Sequence, residues 1–191
     1  MSSPYNRITV QMSTILLETE RLYLTKILDA HADKVLRYRS HPDVYLFQRW
    51  CPVDLEDVLG FIKKYSSRVD LTVNKWNQLG IYLRNKNDLI GDCGFCLFEK
   101  EQAEIGYTIA PDQQKHGYAT EAMRGMLAYL FGGLKLHRVI ARTDPMNIAS
   151  QKVLRKLHFR QEAHFRQSIR MGNRWADDLV FALLSEDWKS P

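Results

Sequence analysis

The sequence lacks the features that would place the chain in a membrane or in a secretory route. No apolar run approaches the roughly 18 residues that a membrane-spanning helix needs. Residues 1–14 contain no basic region followed by an apolar stretch, so we expect no signal peptide. We therefore expect a cytoplasmic protein without a membrane partner.

Cysteine is also scarce, since the chain has three, which is too few and odd in number for a disulfide framework. Cys93 and Cys96 form a C-x-x-C pair within a predicted strand, where residues three apart point to opposite faces. This geometry favours buried thiols over a redox pair or a zinc half-site. His137, His158 and His164 do not share metal-ligand spacing on one element, so we expect no metal site.

The chain has no internal repeats, low-complexity tracts or Pro- and Gly-rich linkers, and its 191 residues are enough for one domain with a core. We predict an N-terminal extension over residues 1–14 and a single domain over residues 15–189. Hydrophobic periodicity predicts helices near residues 29–40, 55–65, 118–134 and 147–157. Strands are predicted near residues 22–27, 78–84, 89–98, 103–109, 138–143, 159–170 and 175–183. This order indicates a mixed α/β fold of the α+β kind, with a largely antiparallel twisted sheet of six to seven strands and about four helices.

Positive charge is concentrated in one part of the chain. Residues 113–175 contain 12 Lys or Arg against 3 Asp or Glu, whereas the remainder contains 15 against 19. Such a local field favours an anionic partner, although surface charge also drifts along chains without a function. A pI near 9.1 makes nucleic acid an alternative anionic partner, but the predicted helix 118–134 has only Glu121 and Arg124 as charged residues. That helix is typical of packed core rather than of a recognition helix, so we expect no nucleic-acid partner.

The loop between the strand 103–109 and the helix 118–134 has the features of a phosphate cradle. A helix start exposes unsatisfied backbone N–H groups and the positive end of the helix dipole. Gly117 and Ala119 are small enough for an anion to approach the backbone, and Lys115 adds a formal charge. Such junctions are common, so an ordinary strand–helix connection is the alternative at this point.

Three motifs make the chain resemble a known family. Gln114-Lys-His-Gly-Tyr-Ala119 resembles the acetyl-CoA signature Q/R-x-x-G-x-G/A of the GNAT superfamily of N-acetyltransferases. Its continuation to Ala122 is similar to the G-Y-A-[ST]-E-A version of the RimJ/RimL-like group, which comprises the acetyltransferases of ribosomal-protein N-termini and their many relatives. Residues 147–159 and 17–22 resemble the N-x-x-S-x-x-[VL]-x-x-K-x-G-F and L-x-T-x-R-L segments of that group. Lys115 stands where glycine is frequent, which the broader signature tolerates, and His158 stands where a glycine usually ends the helix. If that position is left-handed, histidine is tolerable there but costlier than glycine.

The resemblance implies the GNAT fold and an acyl-CoA-dependent N-acyltransferase that uses acetyl-CoA as co-substrate and no metal. It implies that the CoA diphosphate binds the backbone N–H groups of a loop made of Gln114, Lys115, His116, Gly117, Tyr118, Ala119 and Thr120. It also implies that the pantetheine arm pairs with Tyr107, Thr108 and Ile109, on a strand that splays from its neighbour. Asn147 is implied to bind the pantetheine region, a role compatible with that of a plain helix cap.

The reaction implied by the resemblance is direct attack of a neutral amine on the thioester within a ternary complex. Glu104 is the candidate base because it lies on the strand leading to the acetyl group, and a solvated or salt-bridged glutamate is the alternative. Ser150 aligns with a serine proposed in some relatives to protonate the leaving thiolate. Its alternative is a small polar residue in the first turn of a helix.

The acceptor is expected to be a primary amine, either of a protein N-terminus or of a small molecule. The aromatic residues Tyr45, Phe47 and Trp50 follow the first helix and are candidates for the core or for the acceptor pocket. A non-catalytic acyl-CoA-binding sensor or regulator on the same fold is the alternative function. Homodimers are common in the group, but the sequence leaves the oligomeric state open.

Overall fold

The computed structural model describes residues 7–11 and 14–189, with the side chains of residues 16–189. One sheet contains nine strands in the order β1-β2-β3-β4-β5-β6-β7-β9-β8. The strands are β1 (Arg7–Gln11), β2 (Thr14–Glu18), β3 (Leu22–Thr25), β4 (Trp76–Leu83), β5 (Asp88–Glu99), β6 (Gln102–Ile109), β7 (Arg138–Thr143), β8 (Arg160–Met171) and β9 (Arg174–Leu184). The helices are α1 (Ala32–Arg39), α2 (Pro42–Tyr45), α3 (Leu55–Tyr65), α4 (Tyr118–Leu127) and α5 (Ile148–Lys156). No helix among these residues is long and apolar enough to cross a bilayer.

The predicted fold class is confirmed, because all neighbouring strands pair antiparallel except β6 and β7. That pair is parallel because α4 crosses between the two strands. The sheet has more strands than predicted. Residues 7–11, which lie in the predicted N-terminal extension, form β1 and pair with β2. The other residues of the predicted extension that precede β2, 1–6 and 12–13, lie outside the described residues.

The helices cover the two faces of the sheet unequally. On one face α4 and α5 pack their apolar residues, among them Met123 and Leu154, against Phe95 and other strand residues in the main core. On the other face α1 and α3 form a smaller core, in which Val35 and Ile62 lie against the sheet. The smaller core leaves part of its face open, and Phe61 and Tyr65 of α3 line a cleft there.

A buried carboxylate ties α1 to the sheet. Asp92 of β5 is fully buried and accepts hydrogen bonds from Tyr38, from the Nε and Nη2 of Arg39, and from the Gln78 amide. Burial, together with the Asp92 charge, raises the pKa of Tyr38 well above its usual value, so this phenol stays a donor. Removing one partner would leave a buried charge unpaired, so the four side chains depend on one another.

At Gly91 the backbones of β5 and β6 approach each other too closely for a side chain. A Cβ at Gly91 would lie 2.2 Å from the Thr108 carbonyl oxygen and 3.0 Å from the Ile109 Cα, both backbone atoms of β6. We expect Gly91→Ala to lower the free energy of unfolding by about 2–3 kcal/mol, measured by urea denaturation. Gly60→Ala is the matched control, because no atom lies within 4 Å of its Cβ and alanine favours the helix. Equal losses in both variants would contradict the explanation.

Candidate active site

The centre of the sheet opens between β6 and β7. These strands pair only over Gln102–Ile105 and Arg138–Ala141. Beyond that point Gly106–Ile109 stays with β5, whereas Arg142 and Thr143 stay with β9. The edge of β6 that faces β7 is therefore free of ladder hydrogen bonds from Gly106 onward, and an extended ligand can pair with it.

Two clefts meet at this opening. The first, which we name the loop cleft, has a volume of about 530 Å³ and is lined by the segment after β6 and by the first turn of α5. The second, the aromatic cleft, has a volume of about 710 Å³ and contains Trp50, Phe61, Tyr65 and Trp76. Both clefts are lined by Phe47, Gln48, Tyr107 and Thr108. A donor in one cleft and an acceptor in the other would meet at these residues.

The loop before α4 lines the loop cleft and contains a row of free amides. Lys115 and Gly117 are left-handed, with φ of 65° and 83°, and α4 begins at Tyr118. Within the part of the chain that the structure describes, none of the backbone N–H groups of residues 115–120 donates a hydrogen bond. Gln114 fastens the loop to β6 through its Nε2, which lies 3.1 Å from the Ile109 carbonyl oxygen. Free amides at a helix start are the donors that a phosphate group needs.

The predicted loop residues do not all reach the cleft. Gln114, Lys115, Gly117, Tyr118, Ala119 and Thr120 line it. His116 does not line it, and its ring stacks on that of Tyr118, with centroids 5.6 Å apart. The two departures from the family motifs, Lys115 and His158, are both left-handed, with φ of 65° and 67°. Each therefore adopts the conformation that glycine adopts most easily.

Asn147 and Ser150 lie together at the start of α5. The Oδ1 of Asn147 accepts a hydrogen bond from the Ser150 N–H at 3.0 Å, so Asn147 caps the helix. Both residues also line the loop cleft. The cap holds the first turn of α5 at the mouth of the opening.

The side chain of Tyr107 spans the opening. Its hydroxyl lies 3.0 Å from the Ser150 Oγ and donates to the Ser150 carbonyl oxygen at 3.2 Å. Burial raises the pKa of Tyr107 to about 12, although the Ser150 hydrogen bond lowers it, so the phenol stays protonated at neutral pH. The motifs indicate only the backbone of Tyr107, and no sequence signal links its ring to a residue 43 positions away.

Glu104 lies in the aromatic cleft, not in the loop cleft. Its Oε2 is 3.5 Å from the Nε of Arg142, and the Nη1 of the same arginine donates to the Asp178 Oδ2 at 2.7 Å. Burial raises the pKa of Glu104 above its usual value, while Arg142 and then Arg49 act in the opposite direction. Thr108 is four residues, or about 13 Å, along the strand, so Glu104 is removed from the meeting point of the clefts. Gly106 lies between them on the same face, where the Trp76 ring is 3.5 Å from the position of a Cβ.

The charges of the two clefts differ. Three lysines and one carboxylate line the loop cleft, namely Lys115, Lys152, Lys156 and Asp43. The aromatic cleft has five carboxylates and four basic side chains, namely Asp57, Glu104, Asp144, Asp177, Asp178, Arg39, Arg49, Lys64 and Arg142. The loop cleft therefore suits an anionic ligand better than the aromatic cleft does.

Comparisons with known proteins agree with this geometry. Residues 21–160 match the acetyltransferase (GNAT) domain family. The chain is 31% identical over 173 residues to the uncharacterised N-acetyltransferase YnaD of Bacillus subtilis strain 168, covering 90% of this chain and 98% of that protein. It is 23% identical over 181 residues to the ribosomal protein uS5-alanine N-acetyltransferase of Escherichia coli strain K12, covering 90% and 92%. A crystal structure of a GNAT-family acetyltransferase from Bacillus anthracis superposes with a TM-score of 0.81 at 31% identity, covering 90% and 99%.

The contact between Tyr107 and Ser150 can be measured by a double-mutant cycle. We expect Tyr107→Phe to lower the free energy of unfolding by about 1 kcal/mol, because a buried hydrogen bond is lost. Ser150→Ala keeps the carbonyl oxygen that also accepts from the phenol, so the coupling between the two changes should be smaller, about 0.5 kcal/mol. Purely additive effects in urea denaturation would show that the two hydroxyl groups do not interact.

Proposed function

This chain belongs to the GNAT family of acetyltransferases, and we propose that it transfers the acetyl group of acetyl-CoA to the α-amine of a peptide or small molecule. The observation that carries this proposal is the meeting of two clefts where β6 leaves β7. An acyl-CoA sensor would need the loop cleft alone. The second cleft, which reaches the same strand edge, supports catalysis.

The donor side of the proposal depends on the loop. Six free amides at residues 115–120, the start of α4 and Lys115 suit the diphosphate of CoA. The free edge of β6 at Tyr107–Ile109 suits the amide groups of pantetheine, which would pair with it as a strand does. Asn147 lines the same cleft, and we propose that its side chain contacts the pantetheine arm. When bound, acetyl-CoA supplies the activated acyl group.

The acceptor side depends on the aromatic cleft and on the cost of deprotonation. A lysine amine with a pKa near 10.4 costs about 4.6 kcal/mol to deprotonate at pH 7, whereas an α-amine near 7.8 costs about 1 kcal/mol. Glu104 is remote from the meeting point of the clefts and is salt-bridged to Arg142. A base in this position suits an α-amine, which costs less to deprotonate than a lysine amine. The name of the Escherichia coli relative, an alanine N-acetyltransferase for ribosomal protein uS5, also supports a protein N-terminus as one acceptor.

In the proposed mechanism each group has one task. The free N–H groups on the edge of β6 stabilise the oxyanion that forms as the neutral amine attacks. Glu104 accepts the amine proton through water in the aromatic cleft. In this step Tyr107 donates to the Ser150 Oγ, so the Ser150 hydroxyl is free to donate a hydrogen bond to the leaving sulfur. A thiolate with a pKa near 8.5 leaves readily at neutral pH, so we assign Ser150 a smaller effect than Glu104.

A turnover screen tests the function. We expect thiol release from acetyl-CoA with peptides and small molecules that carry a free α-amine. With N-terminally blocked peptides that carry only lysine amines, we expect kcat/KM to be at least about tenfold lower, because deprotonation costs more. Thiol release is followed with a disulfide reagent, and CoA binding is measured by calorimetry in parallel. If CoA binds but no amine causes thiol release, the chain is an acyl-CoA sensor and not an enzyme.

Glu104→Gln tests the proposed base. We expect kcat at pH 7 to fall by about 100-fold, since proton transfer by a positioned side chain contributes at least that much. In the native enzyme kcat should fall as the pH drops through the pKa of Glu104, which burial raises above its usual value. This acidic limb of the kcat profile should be absent in the variant.

Arg49→Gln keeps the carboxylate of Glu104 and changes only its surroundings. Arg49 lowers the pKa of Glu104, so its removal should move the acidic limb to higher pH. Lys64→Gln is the matched control, because Lys64 lines the same cleft but is not among the charges that act on Glu104. A limb that stays in place in both variants would contradict the assignment to Glu104.

A further inference from the structure

Arg21 has no role in the reaction described above, although it belongs to the motif at residues 17–22. We infer that Arg21, held by Glu121, is a positioning residue that aims the Gly117 N–H into the loop cleft. Because Arg21 acts in this way on donor binding, its role rests on the proposed function.

One end of the contact is a carboxylate on α4. The Nε of Arg21 lies 2.6 Å from the Glu121 Oε2, and the backbone N–H of Arg21 donates to Oε1 at 2.7 Å. The Thr19 hydroxyl donates to the same Oε1 at 2.6 Å. Three donors from the turn between β2 and β3 therefore fix one side chain in the first turn of α4.

The other end of the contact is the left-handed turn before α4. The Nη1 of Arg21 donates to the His116 carbonyl oxygen at 3.1 Å, and the guanidinium lies over the Tyr118 ring, 4.7 Å from its centroid. A Cβ at Gly117 would lie 3.5 Å from the Nη2. One planar group thus contacts the residues on both sides of Gly117.

The contact between Arg21 and the His116 carbonyl also fixes the direction of the Gly117 N–H. In a trans peptide the carbonyl and the following N–H point in opposite directions. Because Arg21 holds the His116 carbonyl, the Gly117 N–H points away from Arg21. Gly117 lines the loop cleft whereas His116 does not, so the free N–H is on the cleft side of the turn. Without Arg21 this peptide is free to rotate and to turn its donor away.

Two simpler explanations make different predictions. An exposed ion pair adds little to stability, so a purely structural role of Arg21 would affect the whole protein slightly and no ligand in particular. A purely electrostatic role would require only a positive charge near the diphosphate. Lysine supplies that charge, but it lacks the planar fork that reaches Glu121 and the His116 carbonyl at once.

The experiment compares two donors, acetyl-CoA and acetyl-pantetheine, which lacks the diphosphate. For Arg21→Ala we expect the KM for acetyl-CoA to rise about tenfold or more, as for the loss of one hydrogen bond to a charged group, with kcat little changed. With acetyl-pantetheine we expect the kcat/KM of the native protein. Arg21→Lys should resemble Arg21→Ala. Arg138→Ala is the matched control, because it removes a two-point pair with Glu162 outside the two clefts and should leave both donors unaffected.

Each contrary outcome has one meaning. An unchanged KM for acetyl-CoA in Arg21→Ala would overturn the inference, and so would equal losses with both donors, since those indicate damage to the fold. A native KM for acetyl-CoA in Arg21→Lys would show that Arg21 contributes only its positive charge, which would also overturn the inference. A native protein that binds no CoA in calorimetry would overturn the proposed function as well, which separates the two failures.

Discussion

The site depends on the point at which β6 stops pairing with β7. Up to Ile105 and Ala141 the two strands share a ladder, and beyond it each keeps only its outer neighbour. A continuous sheet would satisfy its own backbone and leave no edge for a ligand. The separation provides free backbone groups in the middle of the molecule, and it lets clefts on two sides reach the same strand. The loop, the α5 cap and the Tyr107 ring all surround this opening.

Local patterns predicted much of the fold. The strands from β3 to β9 and the helices α1, α3, α4 and α5 lie near their predicted positions, because periodicity and turn residues report local structure. The two N-terminal strands and α2 were missed. β1 and α2 have five and four residues, too few to establish a period, and Pro42 reads as the end of one helix although it also starts the next.

The site was predicted less completely, since its parts combine through distant contacts. The motifs identify the loop, Asn147 and Ser150, which lie together in one cleft. They do not reveal that Tyr107 holds Ser150, or that Glu121 of one motif binds Thr19 and Arg21 of another about a hundred positions away. Such pairs cannot be inferred from spacing, because only the folded sheet brings them together. The meeting of Arg21 and Glu121 gives a physical reason for the two motifs to occur in the same chain.

The buried Asp92 network limits how this protein can evolve. Arg39 and Gln78 line the aromatic cleft and are also partners of the same carboxylate, so a change in either leaves Asp92 with an unmet charge or hydrogen bond. The side chains of Arg49 and Lys64 line the same cleft from exposed positions, so they can be exchanged at little cost to the stability of the fold. Divergence in acceptor preference among descendants of this chain should therefore accumulate in the rim of the cleft, while its floor is inherited as a unit.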